Sequence, residues 1–269
     1  MQIENIEEMK KRYSILITSC DTYCELWSNL EFFYNRFWPN HSQIYLFAEN
    51  NKNSFPKSFR FISSNSNFSF RIRSALNEIE SEYVFIACDD YFLKKDVDEK
   101  RFAELIDFMS TNEIDYLRLF NYPNVGKKVA KKIRELPLTD IYEVNFYPGI
   151  WKVESLKRII LKDENPWQFE VKLTSRSKKE GFKCFACSDM SIFPFVDIVR
   201  KGKYLRSGYR FLKNNNLYIS SRKKRTIIET IKLNARIMVG RIMPKVLLRA
   251  YRKSKFNHHF SSYEYSSDE

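Results

Sequence analysis

Between Tyr13 and Phe120, short runs of β-branched and aromatic residues alternate with segments whose apolar residues recur every three or four positions. No other feature of the chain restricts its fold as strongly. The runs are residues 13–19, 44–48, 59–62, 83–93 and 115–120. Between the first two, Leu26, Leu30, Phe33, Tyr34 and Phe37 mark a helix, with Asp21 or Thr22 as its cap and Pro39 as its stop. Residues 71–80 carry Ile72, Ala75, Leu76 and Ile79 at helical spacing, and residues 98–109 carry Phe102, Leu105, Ile106 and Met109. Strand–helix alternation of this kind implies an α/β fold: a mostly parallel central sheet flanked by helices on both faces.

The second half is less regular. Residues 121–138 are basic and polar and read as a loop or hairpin, and residues 141–146 as a strand. Pro148 and Gly149 suggest a turn through Trp151 into a helix over 152–161. Residues 163–167 form a second break, 168–179 a helix, and 184–187 and 192–196 short strands.

Composition excludes several chemistries. The three histidines are His41 in a loop and His258 and His259 near the C-terminus, so a histidine-based triad or metal site is not expected. Proton transfer would fall to a carboxylate. Five scattered cysteines suit a reducing compartment, and the lone C-x-x-C, Cys184 with Cys187, lies in a strand and reads as structural. No uncharged run of 18 residues exists to span a bilayer, and residues 1–12 lack the apolar stretch of a secretory signal.

Charge is divided unevenly. Residues 200–256 hold 18 Lys and Arg against the single acid Glu229, or +17 in a chain totalling +13, which leaves the rest at −4. Within that arm Ile227, Ile228, Ile231, Ile237, Met238 and Ile242 interleave with Lys232, Arg236 and Arg241, the pattern of one or two basic amphipathic helices broken near Gly240 and Pro244. Such a helix suits the interface of an anionic membrane, engaged through residues 222–253; packing on the protein's own core and an oligomer contact are the alternatives. The expected division is a folded domain over 1–215, a basic helical arm over 216–256 and a disordered tail over 257–269.

The run from Tyr83 ends in the adjacent carboxylates Asp89 and Asp90, followed by Tyr91, Phe92 and Leu93. In an open α/β sheet ligands bind outside the carboxyl ends of the strands, which is where this pair would stand. Adjacent half-buried carboxylates repel unless a cation or donors compensate them, and a divalent cation shared with phosphates would do so. A polar turn after a strand is the plain alternative.

Four pieces in order resemble bacterial GT-A-type glycosyltransferases of capsule and lipopolysaccharide O-antigen biosynthesis. They are Ile17-Thr18-Ser19-Cys20-Asp21-Thr22-Tyr23, the helix start from Arg71, Cys88-Asp89-Asp90-Tyr91-Phe92-Leu93, and Gly149-Ile150-Trp151 with Glu164-Asn165-Pro166-Trp167-Gln168-Phe169-Glu170. The resemblance covers roughly residues 13 to 210. It implies a GT-A-like (Rossmann-like) fold and a nucleotide-diphosphate-sugar donor, a UDP-sugar, bound across the first half. A growing, lipid-linked glycan would be the acceptor, at the cytoplasmic face of the plasma membrane.

The acidic pair would then stand for the family's D-x-D site, with Cys88 replacing its first acid. Asp90 becomes the ligand of Mn²⁺ or Mg²⁺, and Asp89 contacts either the ribose or the metal's outer ligands. The resemblance places Thr18, Ser19 and Asp21 in the nucleotide pocket and Arg71 on the diphosphate. Glu170, at a helix start, is the candidate base for an inverting transfer, with Glu164 and Asp163 as runners-up. Trp151 and Trp167 offer plates for sugar stacking in the acceptor site. The rival reading is a non-enzymatic protein that binds nucleic acid or membrane through the basic arm; the aliphatic stripe in that arm suits lipid better than a nucleic-acid groove.

Overall fold

The computed structural model describes residues 3–50, 55–64, 66–120, 122–243 and 247. Helix α1 (Ile3–Arg12) runs straight into strand β1 (Tyr13–Thr18), and a 3-10 turn, Asp21–Leu26, leads to α2 (Trp27–Phe37). Then come β2 (Ile44–Ala48), β3 (Arg60–Ser63), α3 (Phe68–Glu78), β4 (Tyr83–Cys88), β5 (Tyr91–Leu93) and α4 (Glu99–Thr111). Strand β6 (Tyr116–Arg118), the hairpin β7 (Lys127–Ala130) and β8 (Ile133–Glu135), and β9 (Gly149–Lys152) follow. The remainder is α5 (Val153–Ile159), α6 (Pro166–Lys179), β10 (Cys184–Cys187), β11 (Phe195–Asp197), β12 (Val199–Arg200), β13 (Lys203–Tyr204), α7 (Arg206–Asn214) and α8 (Ile227–Ile242).

Nine strands make one mixed, mostly parallel sheet in the order β3-β2-β1-β4-β9-β6-β10-β8-β7, flanked by helices. Strands β3, β2, β1 and β4 pair in parallel, as do β6 and β10, whereas β9 runs antiparallel between β4 and β6. Strands β1 and β2 are buried at every position, which is why they read as continuous apolar runs rather than as alternating ones. Alternation then sorts the side chains between two cores. Ile15, Ile17 and Phe85 pack with Leu30 and Phe33 of α2 and Phe102 and Leu105 of α4, while Leu16, Val84 and Ile86 pack with Ile72 and Leu76 of α3, Leu156 of α5 and Phe169 of α6.

Three local expectations are corrected. Neither Asp21 nor Thr22 caps a helix: the 3-10 turn begins after Cys20, which makes no side-chain capping bond, and Asp21 turns instead to the backbone of Asn50. The turn expected through Trp151 is β9, a central strand, because Ile150 and Trp151 find pairing partners on both sides. Residues 141–146 form no strand. Their backbone is held by Arg118, whose guanidinium donates to the carbonyls of Tyr142 and Glu143 at 3.3 and 2.7 Å, and by Tyr116 Oη, which accepts from Asn145 N.

From β1 the chain steps outward to β2 and β3, then returns across β1 to lay down β4 on its other side. That reversal opens a crevice between the carboxyl ends of β1 and β4, where Thr18 pairs with Cys88. Strand β11 pairs with β5 beside the crevice, and α7 seats closely against it. Only glycine permits that approach: a Cβ on Gly208 would lie 2.6 Å from Ile198 Cα and 2.8 Å from its carbonyl oxygen.

Helix α8 lies within the basic segment. It opens with a capping box between Thr226 and Glu229 and is pinned by Lys203 Nζ, which donates to Glu229 Oε1 at 2.5 Å. No helix among the described residues is long and apolar enough to cross a membrane. The rest of the arm beyond Met243, Leu247 apart, and the expected tail over 257–269 lie outside the described residues.

Candidate functional site

The end of β1 supplies the floor of the crevice. Trp27 Nε1 donates to Ser19 Oγ at 2.7 Å, and Ser19 in turn donates to the Asp89 carboxylate. Asp89 N donates to Thr18 O at 3.3 Å, and Thr18 Oγ1 donates to Ala87 O at 3.4 Å, so the two strand ends are tied where they part. Asp89 is buried, and burial pushes its carboxyl up to about 7 against the opposing pull of the Ser19 hydroxyl. Asp90 is raised as well, by burial first and then by the charges of Asp89 and Asp197.

Asp197 is a site residue that sequence reasoning missed. It ends β11 opposite Tyr91, and the neighbouring Ile198 N donates to Asp90 O at 2.9 Å, which sets the two acids side by side. Arg200 holds Asp197 Oδ2 at 2.5 Å, while Oδ1 is buried with no hydrogen-bond partner among the described residues. The strand-then-acid pattern was visible in the sequence; the pairing of β11 with β5 was not. Tyr147 was also missed. Its hydroxyl meets Thr18, and burial with the Cys88 and Glu170 charges raises it.

Among the described residues no group of three or more His, Cys, Asp or Glu side chains could enclose a metal ion. A pair of carboxylates with one orphaned buried oxygen is a different kind of site. It fits Mg²⁺ or Mn²⁺, which take one or two carboxylates and leave the remaining positions to phosphate and water.

The other expected residues divide into those the fold brings to the crevice and those it does not. Asp21 N donates to Glu49 Oε2 at 2.6 Å, and Glu49 also receives Arg71, whose guanidinium lies over the Phe47 ring at 5.7 Å. Asp21, Glu49 and Arg71 thus form one network beyond the end of β2. Arg71 occupies the fourth position of α3 rather than its start.

Glu170 on α6 lies near enough to Cys88, Tyr91 and Tyr147 for its charge to raise all three. Its own carboxyl is raised by burial while it accepts the backbone N–H of Phe146. The runners-up are committed elsewhere. Arg176 holds Glu164 through two bonds of 2.5 and 2.6 Å, and Asp163 accepts from Asn67 at 2.7 Å.

Trp151 is a correction. It is fully buried, its ring 4.3 Å from that of Tyr116, so it has no face to offer a sugar. Trp167, at the start of α6, is 70% exposed.

The raised carboxyls fix how stability responds to pH. Asp89 ionises near its ordinary value of 3.8 when unfolded and near 7 when folded, so between about pH 4 and 7 the native state holds a proton that the unfolded state has released. Stability from this group is therefore full below pH 4, falls as pH rises from there to about 7, and stays at its lowest above that. Relative to the ligand-free wild type, Asp89→Asn is expected to gain melting temperature from pH 5 to about pH 7 and to level off above it. A difference that does not change with pH would contradict this.

No protein-family model matches the chain, and no curated protein matches it. Among solved structures it is similar to the bifunctional IspDF from Campylobacter jejuni, at 18% identity over 69% of this chain and 52% of that one, with a TM-score of 0.42. It is also similar to S. aureus TarS 1–349 in complex with UDP, at 14% identity over 66% of this chain and 58% of that one, TM-score 0.45. A third is the mannosyltransferase PcManGT from Pyrobaculum calidifontis in complex with GDP-Man and Mn²⁺, at 10% identity over 71% of this chain and 58% of that one, TM-score 0.45. The chain spans little more than half the length of each of these proteins, and at these scores the likeness says nothing of its chemistry.

Proposed function

We propose that the chain is a glycosyltransferase that moves a sugar from a nucleotide-diphosphate donor, a UDP-sugar, to a growing surface-polysaccharide acceptor. One observation carries the reading: at the point where the strand order reverses, a hydroxyl-lined floor meets the buried Asp89 and the half-buried Asp90, with Asp197 beside them. Arg200 compensates one of these charges, and a cation shared with phosphates would compensate the others.

In this reading Thr18, Ser19, Asp21 and Asp89 receive the nucleoside, and Arg71 leaves Glu49 for the diphosphate. Asp90, with Asp197 beside it, would hold Mn²⁺ or Mg²⁺, which when bound neutralises the charge that develops on the diphosphate leaving group. Glu170 takes the proton of the acceptor hydroxyl in an inverting transfer, and its raised carboxyl gives it the basicity for that step. Trp167 supplies an exposed plate for the acceptor sugar. A lipid-linked acceptor of capsule or lipopolysaccharide type fits the basic arm over 222–253, which would lie on the cytoplasmic face of a bacterial membrane.

The test is a thermal-shift series with UDP, GDP, CDP and ADP, each with and without Mn²⁺. A ligand that binds only the native state at a hundred times its Kd stabilises by about 2.7 kcal/mol. UDP is expected to raise the melting temperature with Mn²⁺ and not alone. No shift with any of the four would end the transferase reading and favour a binding role for the basic arm.

A further inference from the structure

Helix α7 turns two opposite faces to its surroundings. Gly208 and Leu212 are buried, and Gly208 lies against Ile198. On the other side Arg206, Arg210 and Lys213 follow at spacings of four and three, so all three lie on one face. Lys224 joins them from the strand-like segment that bridges to Tyr204, its Nζ 4.3 Å from the Tyr209 ring centroid. These four cations, with Tyr209 and Asn214, line a groove of about 380 Å³ that contains no acid.

The local acids are already committed. Between Asp197 and Glu229 the chain has ten Lys and Arg and no Asp or Glu. Asp197 pairs with Arg200, Glu229 with Lys203, and Glu25 with Arg222, each at 2.5 Å. None of Arg206, Arg210, Lys213 and Lys224 has an ion-pair partner among the described residues. Four like charges around one groove repel one another, and the arrangement is relieved by an anion with several oxygens, such as a phosphate diester.

What stands next to the groove identifies the source of that phosphate. Lys224 precedes the Thr226 cap of α8 by two residues, and the Lys203–Glu229 pair pins the first turn of that helix. Along α8, Ile227, Ile228, Ile231, Met238, Val239 and Ile242 are between 52% and 73% exposed. At 3.6 residues per turn they fall within about 120° of arc, with Lys232 and Arg236 along one margin. A continuous aliphatic stripe beside a basic groove matches acyl chains beside headgroups; a nucleic acid would leave the stripe in water.

We propose that the groove of Arg206, Arg210, Lys213 and Lys224 binds the headgroup phosphate of an anionic phospholipid bilayer while the stripe of α8 enters its acyl boundary. The groove extends the membrane contact beyond the arm itself. The inference rests on the membrane-facing part of the proposed function and is independent of the transfer chemistry.

The experiment is co-sedimentation of the full chain with phosphatidylcholine vesicles, with and without phosphatidylglycerol. Binding is expected only to the anionic vesicles and should weaken with salt. The double variant Arg210→Glu/Lys213→Glu is expected to lose at least tenfold in binding, whereas Arg210→Lys stays within twofold of wild type. Both positions are exposed, and equal melting temperatures for all three proteins will separate lost binding from lost folding.

Equal binding by the reversed variant overturns the proposal. So does displacement of the vesicles by millimolar inorganic phosphate, which would mark a free-phosphate site. Failure to bind vesicles, with RNA binding that the same reversal abolishes, overturns it in favour of nucleic acid. Groove-dependent vesicle binding in a wild type that shows no UDP and Mn²⁺ shift supports the groove and removes only the transferase reading.

Discussion

Asp90→Asn is expected to lower Mn²⁺-dependent turnover of the UDP-sugar by roughly a hundred- to a thousandfold, the usual cost of removing one group that stabilises developing charge. The same substitution should raise the melting temperature of the ligand-free protein at neutral pH. Asp90 is pushed up by burial and by two neighbouring carboxylates, so an amide of the same shape removes repulsion and desolvation together. Its backbone carbonyl, which accepts from Ile198, is untouched. Higher stability with lower activity is the pattern of a site whose charges are arranged for a ligand rather than for the fold. Normal turnover in Asp90→Asn would refute the metal-site assignment, and a lower melting temperature would remove the repulsion argument.

Glu170→Gln is expected to leave the UDP and Mn²⁺ shift at its wild-type size while transfer falls by about 10²- to 10⁴-fold, the range for loss of a general base. Glutamine can keep the bond from Phe146 N–H through its amide oxygen, so the geometry of α6 is preserved and only the proton acceptor is lost. In the wild type the acid limb of the rate profile should lie above the ordinary glutamate value, because burial raises the carboxyl. Unchanged transfer in Glu170→Gln would take this residue out of the mechanism. Loss of the donor shift would instead make it part of donor binding.

The strands that build the crevice were legible because each is complete in itself. β1, β2 and β4 are short apolar runs bounded by polar residues, and burial on both faces demands such runs. Helices α2, α3 and α4 were equally plain, since each keeps one apolar face against the sheet. β9 was not. Pro148 and Gly149 carry a turn signature, and four residues are too few to show a period. Only the facing edges of β4 and β6, both more than thirty residues earlier in the chain, make them a strand, and with that Trp151 passes from a candidate plate to a core residue.

The same limit hid Asp197, which enters the site through a pairing with β5 a hundred residues earlier. The chain also gave no sign that Glu164 would be claimed by Arg176 while Glu170, six residues on, would be left facing the crevice. Which carboxylate is spent on packing is decided by tertiary contacts.

The insertion of β9 also sets an order of events during synthesis. β4 bonds on one side to β1 and on the other only to β9, and β9 alone joins the first four strands to β6 and β10. When residue 88 has left the ribosome, four parallel strands can assemble, but their newest edge stays bare until residue 152 follows. At 5–20 residues per second that wait is about 3–13 s, long compared with the assembly of the strands already made. A nascent chain of this length therefore presents an open, apolar strand edge for seconds, and the middle of the finished sheet is the part most in need of shielding while it is being made.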